Sequence, residues 1–174
     1  MNQKKTFCMT ALTLLWLGFL APTASAQIAA PEMLAGLTTA HTMVSYFEDG
    51  SPKSSGSEAR QLASDLERQL AETGLKLVSR DEFDRLIASR GYPAGLLDLE
   101  VKTGKISGMD IKTYYVGLKL KQVAYVARKP ALRFMASTWD YIDTGTADDF
   151  NAVRGRVRGA VARFVADYLA ENPK

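Results

Sequence analysis

The spacing of apolar residues along the chain changes between the period of a helix and that of a strand. Residues 41–47 are rich in β-branched and aromatic side chains and predict a first strand. The stretch EDGSPKSSGS that follows combines glycine, proline and serine, which predicts a mobile loop. Leucines then recur at every fourth position from Leu62 to Leu70, and Ser55 and Glu58 precede them at capping-box spacing. This pattern predicts a first helix.

A short strand and a second helix are predicted next. The stretch LKLVS is apolar enough for a strand, and Ser79 and Glu82 offer another capping box. An apolar stripe follows, and Gly91 and Pro93 are expected to end the helix.

From Leu96 onward apolar and polar residues alternate. LLDLEVK predicts a half-buried strand, DIKTYYVGLKLKQVAYVA a long strand, RKPA a turn and LRFMASTWDYI the last strand. A simple antiparallel register of this hairpin places Lys119 opposite Asp140 and Tyr125 opposite Phe134. The stretch DTGTADD is expected to form a turn and to lead into a final helix capped by Thr146.

The predicted order of elements is therefore β-α-β-α-β-β-β-α. Strands that follow one another through short turns favour antiparallel pairing. We expect an α+β fold with a mixed, largely antiparallel sheet and helices packed mainly on one face.

The N-terminal segment has the three-part layout of a secretory signal peptide. Lys4 and Lys5 precede an apolar run from Phe7 to Ala21, and the triplet Ala24–Ala26 predicts cleavage before Gln27. The apolar run is shorter than the roughly 20 residues that a membrane-spanning helix needs. We therefore expect a soluble periplasmic protein with no transmembrane anchor after cleavage.

This division leaves residues 27–40 as a short lead-in and residues 41–174 as a single domain. The one cysteine, Cys8, lies in the predicted signal peptide, so the mature chain would hold no disulfide, no thiolate nucleophile and no cysteine metal site. Two of the 22 basic residues also lie there, which leaves 20 against 19 acidic residues. A nearly neutral chain does not favour nucleic-acid binding.

The C-terminal helix carries a core-facing stripe and a face of small residues. At helical spacing the apolar positions from Phe150 to Tyr168 share one arc, flanked on both sides by arginines that we interpret as edge residues with buried stems. Gly155 and Gly159 fall together with two alanines on the far side. Either small residues are tolerated on an exposed face, or a partner or a second copy of the chain contacts it.

Catalytic and metal-binding motifs are absent from the sequence. His41 has no ligand companion at a suitable spacing, and the chain contains no phosphate-binding loop or nucleophile elbow. The acidic stretch from Asp140 to Asp149 could hold calcium or could simply supply turn and capping residues. We expect no catalytic residue and no cofactor, with a hydrolase that uses scattered carboxylates as the least favoured alternative.

The end of the predicted hairpin is apolar on both faces. Either a helix or the N-terminal segment covers the second face, or Tyr125 and Phe134 belong to an exposed recognition patch. A partner could also add a strand there if one of the two strands lies at a sheet edge.

The runs TYYVGLKLKQVAYVAR, ASTWDY and AVRGRVRGAVARFVADYLAENPK resemble a group of uncharacterised exported bacterial proteins that share a Thr-Trp strand and a closing C-terminal helix. The run LASDLERQLAETGLKLVSRDEFDRL is similar to the small α/β domain of envelope accessory proteins such as the TolB N-terminal domain, the curli-secretion protein CsgG and activators of penicillin-binding proteins. These resemblances imply an envelope protein and no known activity.

Together these features predict an accessory protein of envelope assembly or secretion that works by surface contacts, with an envelope protein as its partner and a homodimer as a possibility. The alternative is a periplasmic binding module that holds a small ligand or an envelope polymer between the sheet and the EDGSPKSSGS loop. Tyr125, Phe134, Gly155 and Gly159 are the candidate partner-binding residues.

Overall fold

A computed structural model describes residues 25–29, 31–89 and 92–173 of the chain. The predicted signal peptide, apart from its last two residues, lies outside the described residues. The strands are β1 (Ser25–Ala29), β2 (Thr39–Glu48), β3 (Ser51–Pro52), β4 (Lys76–Leu77), β5 (Ala94–Lys105), β6 (Lys112–Val126) and β7 (Lys129–Ala147). The helices are α1 (Ser57–Ala71), α2 (Arg80–Ala88) and α3 (Phe150–Glu171), with a short 3-10 helix at Pro31–Leu34.

The strands form one mixed sheet in the order β1-β7-β6-β5-β2-β3. Strand β2 runs parallel to β5 and to the short β4, whereas the pairs β5–β6, β6–β7, β1–β7 and β2–β3 are antiparallel. The α+β class and the mixed, largely antiparallel sheet are confirmed. The segment predicted as a lead-in, residues 27–40, contributes the last three residues of β1, the 3-10 helix and the first two residues of β2.

The main core lies between one face of the sheet and two helices, α1 and α3. Alternation along β5 buries Leu97, Leu99 and Val101 on this face, where they join the leucines of α1 in one apolar cluster. Each such fully buried side chain contributes about 1.5–3 kcal/mol to the free energy of folding.

Helix α2 packs on the opposite face of the sheet. Its Phe83 is buried with Ala94 and Leu96 in a second, smaller apolar cluster, and Leu96 points away from its neighbour Leu97 along the strand. Two helices therefore cover one face of the sheet, and one helix covers part of the other. This confirms the prediction that the helices pack mainly on one face.

Helix α3 buries the predicted stripe and exposes the small residues. The stripe residue Phe150 is half-buried, and the buried positions are Val153, Val157, Ala160, Val161, Phe164 and Tyr168. Trp139 of β7 is fully buried against this stripe, edge-on to Phe164, and its indole N–H donates to Asp167 at 3.0 Å. These contacts fix α3 across β6 and β7.

Two of the three predicted helix caps are wrong. Helix α1 begins at Ser57, and Gly56 rather than the predicted Ser55 occupies its N-cap position, so no side chain caps it. The Ser57 hydroxyl donates to Glu58 Oε2. Asp149 rather than Thr146 caps α3 through the amide of Ala152, since β7 continues to Ala147 and holds the predicted turn residues in strand conformation. The Ser79 cap of α2 is confirmed by its hydrogen bond from the Glu82 amide at 3.2 Å.

The start of the predicted mobile loop is a tight hairpin. Asp49 and Gly50 both have positive φ angles, 49° and 76°, and connect β2 to β3. This is the Asp-Gly turn chemistry that suits the twist of two short antiparallel strands. The Asp49 carboxylate also accepts a hydrogen bond from the amide of Lys105 at 2.8 Å, which ties the turn to β5.

The hairpin register is confirmed at one end and wrong at the other. Lys119 lies opposite Asp140, as predicted, but Tyr125 lies opposite Arg133 and Phe134 lies opposite Ala124. The cause is an extra residue, Thr138, which the register skips between Leu120 and Lys121. A bulge of this kind shifts every later pair by one residue and so moves side chains between faces.

Candidate contact surface

The far end of the β6–β7 hairpin projects beyond the rest of the sheet. Strand β5 pairs with β6 only as far as Gln122, so residues 123–126 and 129–135 pair with each other alone. We call these two segments and their turn the hairpin arm. A two-stranded ribbon is marginally stable in water without further packing.

The last turn of α2 holds one face of the arm. Arg133 Nη1 donates hydrogen bonds to the carbonyl oxygens of Ile87 and Ala88 at 3.0 and 3.2 Å. A cation at this position suits the partial negative charge of a helix C-terminus and satisfies carbonyls that lack helical partners. Ile87 also lines a shallow groove of 190 Å³ with Val123 and Met135. A helix therefore covers part of the second face.

The arm keeps a patch of large apolar side chains on its surface. Leu132 is 52% exposed and Phe134 is 53% exposed, and Tyr125 and Met135 are also exposed. Leu132 belongs to a bulge of three residues, because the register passes from the pair Tyr125–Arg133 directly to the pair Val126–Lys129. Because adjacent strand residues point to opposite faces, Phe134 lies on one face of the arm and Tyr125 and Met135 lie on the other. Several large apolar side chains exposed on one small element are typical of an interaction surface.

The charge of the arm has one sign. From Gln122 to Trp139 the sequence contains Arg128, Lys129 and Arg133 and no acidic residue. Arg128 and Lys129 are exposed and sit at the turn, next to the three-residue bulge. The arm is therefore apolar along its strands and cationic at its tip.

The other predicted partner-binding residues are not part of the arm. Gly155 and Gly159 lie on the exposed face of α3, where a Cβ added to either glycine would meet no atom of the described chain within 4 Å. Packing inside the fold therefore does not require glycine at these positions.

The acidic residues of the Asp140–Asp149 stretch have separate roles. Asp143 is buried and accepts a hydrogen bond from the Tyr114 hydroxyl at 3.2 Å, whereas Asp149 caps α3. Burial and the nearby Asp143 carboxylate raise the pKa of Tyr114. Among the described residues, no group of three His, Cys, Asp or Glu side chains is placed to hold a metal ion.

The remaining candidate chemistry of the sequence is engaged in structural contacts. His41 Nδ1 lies 3.0 Å from the carbonyl oxygen of Val78, and the imidazole stacks on Phe83 at 5.8 Å. Three of the scattered carboxylates that a hydrolase could use each form an ion pair with a lysine. These ion pairs are Glu48–Lys112, Asp98–Lys121 and Glu100–Lys102.

A second concave surface lies where the sheet meets the β2–β3 turn. Phe47, Gly50, Glu100 and Lys102 line a cleft of 400 Å³. The Lys102 ammonium lies 5.9 Å from the centre of the Phe47 ring and 5.2 Å from that of Tyr115. The Glu100 carboxylate, by hydrogen bonding, raises the pKa of Lys102.

The ring of Tyr115 lies against the sheet beside this cleft. A Cβ at Gly117, two residues along β6, would come within 2.5 Å of the Tyr115 hydroxyl oxygen. Glycine at this position therefore lets the ring occupy that space. The cleft lies between the sheet and the start of the EDGSPKSSGS loop, where the binding-module alternative places its ligand.

The sequence pattern did not predict the ion pair that joins α1 to α3. Asp65 is 1% exposed and accepts hydrogen bonds from Arg154 Nε and Nη2 at 2.5 and 3.0 Å. Arg68 Nη2 donates to the same carboxylate at 2.8 Å. The signal was available, because Asp65 is an acid within the apolar stripe of α1, between Leu62 and Leu66.

No family model and no curated protein matches the chain. Among solved structures, the PelC dodecamer from Paraburkholderia phytofirmans is similar with a TM-score of 0.48 and 14% sequence identity, covering 84% of this chain and 96% of that one. A single-residue variant of the same dodecamer is similar with a TM-score of 0.48 and 16% identity, covering 83% and 96%. In the described part of this chain, no helix has both the length and the apolar content needed to span a membrane.

Proposed function

We propose that this protein is an exported accessory protein of the cell envelope that acts by surface contacts through the hairpin arm. The observation that carries the proposal is the exposure of Leu132, Phe134 and Met135 on a ribbon that projects beyond the sheet. The signal-peptide layout of the first 26 residues supports an envelope location.

Contact rather than catalysis is favoured because His41 and several carboxylates that could do chemistry are engaged in structural contacts. His41 is held by a backbone carbonyl and an aromatic ring, and the acids that could form catalytic pairs are joined to lysines. General acid–base work needs a carboxylate or an imidazole that faces a substrate cavity with a suitable pKa. By contrast, the side chains of Leu132 and Phe134 in the arm are more than half exposed.

Sedimentation with isolated cell envelopes tests the proposal. The full chain, purified as its producing cell processes it, is compared with the variant Leu132→Ser/Phe134→Ser. Each side chain is about half exposed, so complete burial in a complex would add about 1 kcal/mol, and loss of both would weaken binding about 30-fold.

A matched control keeps this test specific. Met109 is 61% exposed at the opposite end of β6, in the turn between β5 and β6, so Met109→Ser removes an exposed apolar side chain outside the arm. We expect this variant to sediment with envelopes like the unchanged protein. If all three proteins bind equally, or none binds, the proposed function is wrong.

The cleft beside the β2–β3 turn favours a second function, that of a module binding a small ligand or an envelope polymer. Its aromatic and charged lining matches the mixed apolar and polar walls of ligand sites. A thermal-shift screen of envelope sugars and small metabolites tests this function, with Phe47→Ala as the loss variant and Met109→Ser as the control. A ligand that stabilises the control but not Phe47→Ala would support the cleft, and the absence of any stabilising ligand would count against it.

A further inference from the structure

We infer that the hairpin arm docks on the anionic lipid surface of an envelope membrane. The inference rests on the proposed function and names the partner that the arm contacts. It follows from three properties of the arm: the sign of its charge, the position of that charge relative to the apolar residues, and the way the arm is held.

The charge favours an anionic occupant. Arg128 and Lys129 are exposed at the tip, and the arm contains no acid that could neutralise them within the ribbon. A second copy of the chain joined arm to arm would bring these cations together, and like charges that meet in an interface oppose association. A surface of anionic headgroups attracts them, with each lysine or arginine near the surface strengthening binding about fivefold.

The apolar residues lie at a depth that suits a membrane interface. Leu132 is in the bulge beside the tip, and Phe134 pairs with Ala124, three residues before the turn. At about 3.3 Å per residue, Phe134 lies about 10 Å from the tip. Interfacial segments bury their apolar side chains about 5–10 Å into the boundary between headgroups and acyl chains, so the side chains of the arm span this depth.

The attachment of the arm also suits docking of a preformed surface. Arg133 ties the arm to the C-terminal carbonyls of α2, and Val123 and Met135 lie beside Ile87 of the same helix. The ribbon is thus supported on one face, while Leu132 and Phe134 remain more than half exposed. Binding then requires little ordering of the chain, which lowers the entropic cost of association.

Flotation with protein-free vesicles tests the inference. The full chain, as its producing cell processes it, is mixed with vesicles of phosphatidylcholine alone or of phosphatidylcholine with phosphatidylglycerol. We expect binding to the anionic vesicles that weakens as salt is added, and much weaker binding to the neutral ones.

Variants separate charge from apolar contact. Arg128→Gln/Lys129→Gln should reduce partition into anionic vesicles about 25-fold and leave binding to neutral vesicles unchanged. Leu132→Ser/Phe134→Ser should reduce partition into both. Lys105→Gln/Met109→Ser removes one exposed cation and one exposed apolar side chain at the opposite end of β6 and should bind as the unchanged protein does.

The outcomes distinguish this inference from the proposed function. Binding to cell envelopes without binding to anionic vesicles would overturn the lipid inference and point to an envelope protein or polymer as the partner. Equal binding to neutral and anionic vesicles would overturn the charge argument. Absence of binding to both envelopes and vesicles would overturn the inference and the proposed function together. Circular dichroism of every variant shows whether it folds. The single change Lys129→Gln is a milder test, because we expect it to weaken binding to anionic vesicles about fivefold.

Discussion

The ion pair between α1 and α3 allows a quantitative test of how the core is held. Asp65 is 1% exposed, and its carboxylate accepts three hydrogen bonds from guanidinium groups, two of them from Arg154. Removal of one partner from a buried ion pair costs about 3–5 kcal/mol, because the remaining charge is left without compensation. The side chain of Arg154 is still 28% exposed and can regain water. We therefore expect Asp65→Ala to lower the free energy of unfolding by about 2–3 kcal/mol.

A double-mutant cycle isolates the contribution of the pair. Arg154→Met removes the charge and keeps an apolar stem, so Asp65→Ala/Arg154→Met leaves no unpaired charge from this contact. We expect the double variant to be about 2 kcal/mol more stable than the sum of the two single changes predicts. The exposed pair of Arg80 and Asp84 is the matched control, and Asp84→Asn should cost less than about 0.5 kcal/mol.

The same contact predicts a pH dependence. The hydrogen bonds from Arg154 lower the pKa of Asp65 below its ordinary value of 3.8, against the opposing effect of burial. Because the folded-state pKa is depressed, the contribution to stability is present above the unfolded pKa and is lost as pH falls through the folded pKa. Acidification below about pH 4 should therefore destabilise the unchanged protein more steeply than Asp65→Ala.

Urea unfolding followed by circular dichroism at pH 7 and along an acid series measures these quantities. The slope of the free energy against urea concentration should stay the same among the variants, so that shifts in midpoint report stability. A coupling energy below about 0.5 kcal/mol, or an identical acid profile after Asp65→Ala, would show that the ion pair does not stabilise the core.

Three further outcomes are expected. Gly155→Ala/Gly159→Ala should raise the free energy of unfolding by about 1 kcal/mol per residue in thermal or urea unfolding. The reason is that alanine favours the helix and the added methyl groups meet no atom of the described chain within 4 Å. A loss of stability would contradict this expectation. Gly95→Ala should lower stability by about 1–3 kcal/mol in the same assay, because the new Cβ would lie 2.5 Å from Leu120 Cδ1, and an unchanged midpoint would contradict the packing argument. N-terminal sequencing of the exported protein should find Gln27 as the first residue, and a chain that retains the preceding 26 residues would disprove cleavage.

Local periodicity predicted most of the fold. The alternation in β5 and the arc of apolar residues in α3 depend only on which residues must face the core, and the structure buries those residues. The Ser79 cap of α2 could also be predicted from the sequence, because a cap depends on residues three positions apart. The packing of α2 on the opposite face depends on contacts between distant segments, which periodicity does not contain.

The arm illustrates what local pattern does not determine. The choice of Tyr125 and Phe134 as apolar surface residues followed from composition alone, whereas their pairing depended on register. One extra residue at Thr138, whose hydroxyl donates to Gln122 Oε1 at 2.7 Å, shifts that register and separates the two rings. The cap of α3 failed for a related reason, since pairing with β6 carries β7 to Ala147, beyond the point where local turn chemistry predicted its end.

Photocrosslinking in cells that export the protein detects contact through the arm where it would occur. A photoreactive benzoylphenylalanine replaces Phe134 in one variant and Met109 in another, so that both probes occupy exposed apolar positions at opposite ends of β6. We expect adducts with envelope lipid at position 134 and none at position 109. Adducts of equal yield at both positions, or none at position 134 in a folded and exported protein, would contradict it.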